Sequence, residues 1–209
     1  MRASIDCWFQ DESPAPETIQ AAFYDFEGSL KPEPQVQSAC RNLLQSLAVE
    51  LAELGEAEVP RAFQGDCLKA YNILQSGEAF QIHESWLDPF EDDYDPQVLN
   101  RLRQGGRWNS AEQEWALDIQ SGIQTWFQCA FDNYDCVILP TVPFPALEFS
   151  KSSETKRQHM MSFTTPASIC GLSALIIPVK LASGFTAGIQ VLTPEPAPRL
   201  WAALLKALE

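Results

Sequence analysis

The sequence predicts an α/β fold, in which helices pack on the two faces of a sheet. Short apolar runs typical of strands alternate along the chain with segments that repeat apolar residues at helical spacing. Apolar residues make up 45% of the 209 residues, a value typical of globular proteins and not of disordered ones. This length is enough for one domain with a sizeable core or for two small domains.

Two strands and two helices are predicted in the first part of the chain. Residues 3–9 have the composition of a strand, and residues 17–30 that of a short helix, which Lys-Pro-Glu-Pro ends. Residues 35–54 repeat apolar side chains at helical spacing and predict an amphipathic helix, with Gly55 as its C-terminal cap. Residues 56–60 then indicate a short buried strand.

Two long helices are predicted in the middle of the chain. The first spans residues 66–87, where Gly77 is a weak point. The second spans residues 110–131 and carries the clearest apolar face, with Ser110 and Gln113 placed as a capping box.

The last third of the chain predicts three strands and a helix. Cys136–Leu139 is a short buried strand before a proline-rich loop, and residues 151–158 form a polar, flexible segment. Residues 174–181 and 187–194 are strands joined by an Ala-Ser-Gly turn, and residues 196–209 form a final helix that starts at proline.

The charge balance excludes several classes of partner. Lys and Arg total 14 against 28 Asp and Glu, which gives a formal net charge of −14. So acidic a surface repels nucleic acid and anionic membranes. Residues 88–96 are acidic, but they lack the ligand spacing of a calcium loop, so a solvated loop explains them better than a cation site. With neither a signal peptide nor a membrane span in the sequence, we expect a soluble, cytoplasmic protein.

Cysteine and histidine usage predicts no metal and no cofactor. The six cysteines form no Cys-x-x-Cys pair, and in a protein without an export signal we expect buried, reduced thiols. The two histidines, His83 and His159, lie far apart and have no partner at ligand spacing, which argues against a zinc site.

No nucleophile stands out in the sequence. Ser168 lies in Ala-Ser-Ile-Cys-Gly, which lacks the first glycine of a nucleophile elbow. Cys170 is expected to be a buried thiol, although pairing with His83 or His159 in space stays open. Lys151 lies in a polar run, where its ammonium stays protonated and cannot act as a base. His83 fits a half-buried helix residue bonded to a neighbour, or a residue that lines a pocket.

Four segments together resemble the C-terminal portion of the amidase signature family. They occur in the family's order and are Ser-Gly-Glu-Ala-Phe-Gln-Ile-His-Glu-Ser-Trp-Leu with the loop after it, YDCVILPTVPFPA (134–146), SFTTPASICGLSALIIPV (162–179) and SGFTAGIQVLTP (183–194). The resemblance is clearer over residues 64–209 and weaker over 1–60. It implies a single partial amidase-like domain over 1–209, built as the C-terminal half of the amidase-type mixed sheet flanked by helices.

The resemblance also implies which part of the family's chemistry is absent from this chain. Family members hydrolyse amides with a lysine, a cis-linked serine and a nucleophilic serine, which lie in a Gly/Ser-rich segment before everything seen here. This sequence contains no such run, so we assign no catalytic residue. The first predicted strand resembles the one that follows that segment. Where the family often has Asn and Pro, this chain has Ser168 and Ser173.

By the same resemblance, the segment 162–178 is expected to support a site and form its wall. Thr141, Thr165 and Ser168 are the polar groups expected to face a small amide substrate, and His83 is expected to lie further out. Two functions remain open. The chain is either an amidase part that needs a triad-bearing N-terminal half, or a non-catalytic remnant that binds small molecules or proteins. Its partner would be that half or another copy in a homo-oligomer.

Overall fold

The computed structural model describes residues 18–47 and 49–208, and in them it contains one five-stranded mixed sheet. The strands are β1 (Ile19–Phe23), β2 (Val49–Glu53), β3 (Cys136–Pro140), β4 (Ser173–Lys180) and β5 (Thr186–Thr193). Their order across the sheet is β2-β1-β3-β5-β4. The strand β1 pairs in parallel with both β2 and β3, whereas β3–β5 and β5–β4 are antiparallel. This arrangement confirms the predicted α/β class.

Helices cover both faces of the sheet. They are α1 (Pro34–Ser46), α2 (Asp66–Leu87), α3 (Pro96–Gly105), α4 (Ser110–Phe131), α5 (Glu154–Cys170) and α6 (Pro198–Lys206). On one face, Ala22 of β1 and Tyr24 directly after it belong to a core shared with α2, α4 and α5. On the other face, Ala21 and Phe23 pack with α1 and α6. The alternation along β1 follows from the two-residue repeat of a strand, so this central strand is buried on both sides.

Long, strongly periodic segments fold as predicted. The helices α2 and α4 have the predicted bounds, and the β4–β5 hairpin forms where two strands and a turn were expected. The capping box of α4 lies one residue earlier than predicted. The side chain of Asn109 accepts from the Glu112 N–H, and Glu112 Oε2 accepts from the Asn109 N–H.

Three predictions in the first third of the chain are wrong. Residues 19–23 form β1 and not part of a helix, because they lie between two parallel partners. The helix predicted over 35–54 ends at Ser46, and Val49–Glu53 turn into β2. Residues 56–58 form a 3-10 turn instead of a strand, and Gly55 precedes that turn rather than capping a helix. The strand predicted at residues 3–9 lies outside the described residues.

Two further segments are more helical than expected. Residues 96–105 form α3, whose N-cap Asp95 accepts from the Gln97 N–H. The segment predicted as flexible over 151–158 enters α5 at Glu154, with Ser153 as N-cap. This helix contains Pro166 and ends at Gly171, whose φ of 67° is the left-handed conformation that closes many helices. None of the helices in the described ranges is both long and apolar enough to cross a membrane.

Candidate functional site

The connections that follow β1 and β3 run to opposite sides of the sheet, so the carboxyl ends of these two strands mark its switch point. From β1 the chain passes through α1 to β2 on one side, whereas β3 leads through α5 to the β4–β5 hairpin on the other side. In open α/β sheets, the crevice outside the strand ends at such a point is where ligands bind. Thr141 comes directly after β3, so the fold places one predicted site residue at this crevice.

Thr141 is held by one backbone carbonyl of the neighbouring strand. Its N–H and its Oγ1 hydroxyl both donate to the Gly188 oxygen, each at 2.9 Å. The Cys40 thiol also points at this oxygen, with its Sγ 3.8 Å away. A Cβ atom added at Gly188 would lie 3.1 Å from Thr141 Oγ1, which is closer than ordinary packing. The Thr141 hydroxyl is therefore fixed, and its oxygen lone pairs remain available as acceptors.

Gln190 joins this strand end to α5. Its side chain is only 2% exposed, and its Nε2 donates to the Pro140 carbonyl at 3.2 Å and to the Phe163 carbonyl at 2.7 Å. The two bonds tie the last residue of β3 to the helix that carries Thr165 and Ser168. Gln190 was not among the predicted site residues. The signal that could have found it is an amide side chain inside the otherwise apolar run of β5.

Thr165 and Ser168 lie on α5, one in the core and one in solvent. Thr165 is 2% exposed, and its Oγ1 donates to the Met161 carbonyl at 2.6 Å. Ser168 is exposed, and its Oγ donates to the Thr164 carbonyl at 3.1 Å. The structure thus brings both residues to the helix beside the β3 end but turns them in different directions. Their binding of a substrate stays a prediction.

His83 lies in the α2–α3 helical pair and not among the strand ends. Its Nδ1 is 2.8 Å from the Tyr94 hydroxyl, and its ring contacts the rings of Trp86 and Tyr94 edge-on. This environment matches the interpretation of His83 as a half-buried histidine bonded to a neighbour. A role further out on a pocket wall stays a prediction.

Aromatic rings pack beneath the crevice. Phe26 has a φ of 47°, which is strained for a bulky residue, and its ring centroid lies 4.3 Å from that of Phe163. His159 lies between Phe144 and Phe163, with ring centroids 5.9 Å and 5.8 Å away. Burial lowers the pKa of His159, so its ring is neutral at neutral pH.

Asp25 is the buried carboxylate at this end of β1. Its Oδ2 accepts from Arg41 Nε at 3.1 Å and from Gln37 Nε2 at 3.2 Å, whereas its buried Oδ1 has no hydrogen-bond partner among the described residues. Burial raises the pKa of Asp25, and the Arg41 guanidinium opposes that rise only in part. Arg41 is shared with Glu53, to which its Nη1 donates at 2.9 Å.

The buried thiols of the described core and the hydroxyls of Thr141, Thr165 and Ser168 are poor nucleophiles as they stand. Burial raises the pKa of Cys40, Cys136 and Cys170 to about 12 and also raises that of Cys67, so these thiols are protonated near pH 7. The hydroxyls of Thr141, Thr165 and Ser168 donate to backbone carbonyls and not to a base. In the ranges that the structure describes, no three His, Cys, Asp or Glu side chains could hold a metal ion.

The chain matches known amidases in both sequence and fold. A family model described as Amidase matches residues 6–197. One subunit of the glutamyl-tRNA(Gln) amidotransferase of Clostridium botulinum (strain Eklund 17B / Type B) is 24% identical over 188 residues. The solved structure of 6-aminohexanoate cyclic dimer hydrolase aligns with a TM-score of 0.72 at 17% identity, and that of a protein described as an amidase aligns with 0.68 at 20%.

These matches cover most of this chain but less than half of each relative. The match to the Clostridium botulinum protein covers 77% of this chain and 38% of that protein. The two structural matches cover 94% and 93% of this chain, and 46% and 47% of the solved chains. The matched portion is the C-terminal part of the relatives, which confirms the resemblance found in the sequence. Because the Amidase family model matches residues 6–197, which are most of the sequence, the chain belongs to the amidase family.

Proposed function

We propose that this chain is the C-terminal part of an amide (C–N bond) hydrolase and acts with a triad-bearing N-terminal part. One observation carries the proposal. The Amidase family model matches residues 6–197, yet the match to the Clostridium botulinum protein covers only 38% of that protein. In this proposal residues 1–209 form a single partial amidase-like domain. The N-terminal part supplies the family's catalytic lysine and two serines, whose Gly/Ser-rich segment is not found in this sequence.

The proposed division of labour follows from what each part can do chemically. A base and a nucleophile held in one geometry lower the barrier to amide hydrolysis, whereas residues that only line a substrate contribute binding. Thr141 Oγ1 uses its hydrogen on the Gly188 carbonyl, so its lone pairs can accept from a substrate N–H. Ser168 Oγ, which donates to the Thr164 carbonyl, is an exposed acceptor on the neighbouring helix. Thr165 supports this wall from inside, and His83 lies further out.

A non-catalytic function is the second candidate, and one observation favours it. The hydroxyls donate to backbone carbonyls, and burial raises the pKa of the Cys40 thiol beside Thr141, so the described residues offer no activated nucleophile there. A remnant of this kind would bind a small amide or a protein partner without turnover. Amide hydrolysis by the purified chain alone would contradict this candidate.

The first experiment is to determine the native transcript upstream of Met1 and to search the source genome for a triad-bearing half. That half is then co-expressed with this chain, and ammonia release from small primary amides is measured. We expect turnover only when both parts are present. The control replaces the partner's nucleophilic serine with alanine and should abolish turnover. A well-folded pair without turnover would contradict the proposed function.

A variant at Thr141 tests the substrate wall within the same assay. Thr141→Val removes the acceptor and should raise KM about tenfold, which corresponds to the loss of one hydrogen bond of ~1.4 kcal/mol. Thr141→Ser keeps the hydroxyl and should restore most of the affinity. Equal KM values for Thr141→Val and the native protein would remove Thr141 from the wall.

A further inference from the structure

Among the residues that the structure describes, no strand pairs with the outer side of β4, so this side of the strand is an edge. The Thr141 N–H donates to the Gly188 oxygen, so the backbone of Gly188 points towards β3. Pro178 pairs opposite Gly188 and therefore points away from β5, because backbone direction alternates along an antiparallel strand. The same alternation turns the N–H groups of Ala174, Ile176 and Lys180 outward. Pro178 has no N–H, which makes it compatible with this edge.

The opposite edge of the sheet is protected along its length, whereas β4 is protected only in its second half. The strand β2 carries Glu50 and Glu53, and these carboxylates bond to the side chains of Gln20 and Arg41. Charged side chains are a common means by which proteins prevent pairing at an edge strand. In β4, Pro178 and Lys180 occupy the second half, but residues 173–177 carry no charge, and the Ile176 side chain is 52% exposed. Of the two edges, β4 is the one that is suited to receive another strand.

A groove runs between β4 and α1. Its volume is about 680 Å³, and it is lined by α1 on one side and by the end of β4 with a residue of the following turn on the other: Pro34, Gln35, Ser38, Ala39, Asn42, Leu43, Pro178, Val179, Lys180 and Ala182. The chain has 28 acidic residues, yet none is among these lining residues. A strand added beside β4 would direct every second side chain towards this side of the sheet. Small or apolar side chains fit such a lining.

The length of the relatives indicates what covers this edge. In each solved relative the part that matches this chain makes up less than half of the polypeptide, so a segment of similar length is joined to this fold there. A second copy of the present chain is disfavoured, because each copy has a net charge of −14. Edge pairing by a strand of a different polypeptide segment satisfies the outward N–H groups and fills the groove.

We propose that the outer edge of β4, with the groove against α1, is the docking site for a strand of the triad-bearing amidase half. This inference rests on the proposed function, because it takes that half as the partner. Docking here brings the partner next to the substrate wall. An added Cβ at Gly188 would lie 3.1 Å from Thr141 Oγ1 and 3.6 Å from Ile176 Cγ2, so the edge strand and the predicted substrate residue are neighbours.

Binding of the two halves is the test, measured by titration with the triad-bearing half. Ile176→Lys places a charge at the edge and should weaken binding at least about tenfold. Ile82→Lys is the matched control, since Ile82 is 65% exposed on α2, away from the edge, and it should bind like the native chain. Ala174→Lys is a second edge variant in case Ile176→Lys does not fold. Unchanged binding by the edge variants would overturn the proposal.

Hydrogen exchange of the native chain supplies an independent readout. The amides of Ala174, Ile176 and Lys180 should exchange rapidly in the chain alone and become protected in the complex. Those of Leu175 and Ile177 are paired with β5 and should be protected in both. Protection that appears only elsewhere, or a homodimer of the chain that Ile176→Lys dissociates, would overturn the proposal. If the two halves bind tightly through this edge but hydrolyse no amide, the proposed function is refuted and the docking site stands. If the edge variants retain full turnover with the partner half, the docking site is refuted and the proposed function stands.

Discussion

At the scale of single residues, one buried amide holds the end of the central sheet to the helix beside it. Gln190 donates to the carbonyls of Pro140 and Phe163, which belong to the strand β3 and the helix α5. An amide inside the apolar run of β5 marks Gln190 as unusual, but the sequence pattern does not report which buried carbonyls this side chain will bond. The position of Thr141 directly after β3, in contrast, can be predicted from a family segment that the sequence itself displays, whereas its binding of a substrate stays a prediction.

Replacing Gln190 with methionine should lower the free energy of unfolding by about 1–3 kcal/mol, because two buried carbonyls would lose their donor. Urea unfolding followed by circular dichroism measures this change. Gln81→Met is the control, since Gln81 is exposed on α2, and it should stay within about 0.5 kcal/mol of the native protein. Equal stability of the two variants would show that the Gln190 bonds do not support the sheet.

At the scale of elements, length and periodicity decide which predictions succeed. The helices α2 and α4 have 22 residues each, long enough for their apolar repeat to be unambiguous. The five residues of β1 form a mostly apolar run, and such a run cannot be told from a buried helix by periodicity alone. The leucine repeat of α1 continues through β2, where only the pairing of Val49–Glu53 with β1 makes the segment a strand. Pairing between strands is a tertiary contact, so the pattern within one segment cannot predict it.

The contact between α2 and α3 depends on a glycine. A Cβ atom added at Gly105 would lie 1.9 Å from the Ser76 carbonyl oxygen, so the two helices approach more closely than any other residue at 105 would allow. Gly77, one residue along α2, has no atom within 4 Å of such a Cβ. The two positions therefore differ in packing while both lie in helices.

Alanine substitutions should separate these two glycines. Gly77→Ala should stabilise the protein by about 0.5–1 kcal/mol, because alanine loses less backbone entropy than glycine in a helix interior. Gly105→Ala should destabilise it by about 1–3 kcal/mol, because the helices must move apart. Thermal unfolding of both variants checks the pair. A stabilising Gly105→Ala would contradict the close approach.

At the scale of the whole molecule, excess negative charge opposes compactness. The net charge is −14, and the described ion pairs lie mainly at the surface, where each contributes little. Composition alone predicts the excess of negative charge, because counting charged residues needs no knowledge of the fold. The positions of the pairs, such as Arg41 between Asp25 and Glu53, could not be predicted, because they join the end of β1 with α1 and β2.

Salt should therefore stabilise the protein at low ionic strength. Raising the NaCl concentration from about 0.01 M to about 0.15 M shortens the screening length from about 30 Å to about 8 Å and weakens the repulsion among carboxylates. We expect a higher urea midpoint at the higher salt concentration. KCl should act equally, which separates screening from a specific ion effect. A lower midpoint in salt would show that attractive ion pairs outweigh the repulsion.

The position of β1 between β2 and β3 has a consequence for the order in which the chain folds. The Gln20 N–H donates to Asp135 Oδ2 across 115 positions of sequence, whereas β1 and β2 are joined by little more than α1. Contacts between distant residues form late, because closing a long loop must precede any gain from pairing. During synthesis, β1, α1 and β2 can assemble first. The sheet gains its centre only when β3 has left the ribosome, and until then one side of β1 is open to pairing with other chains.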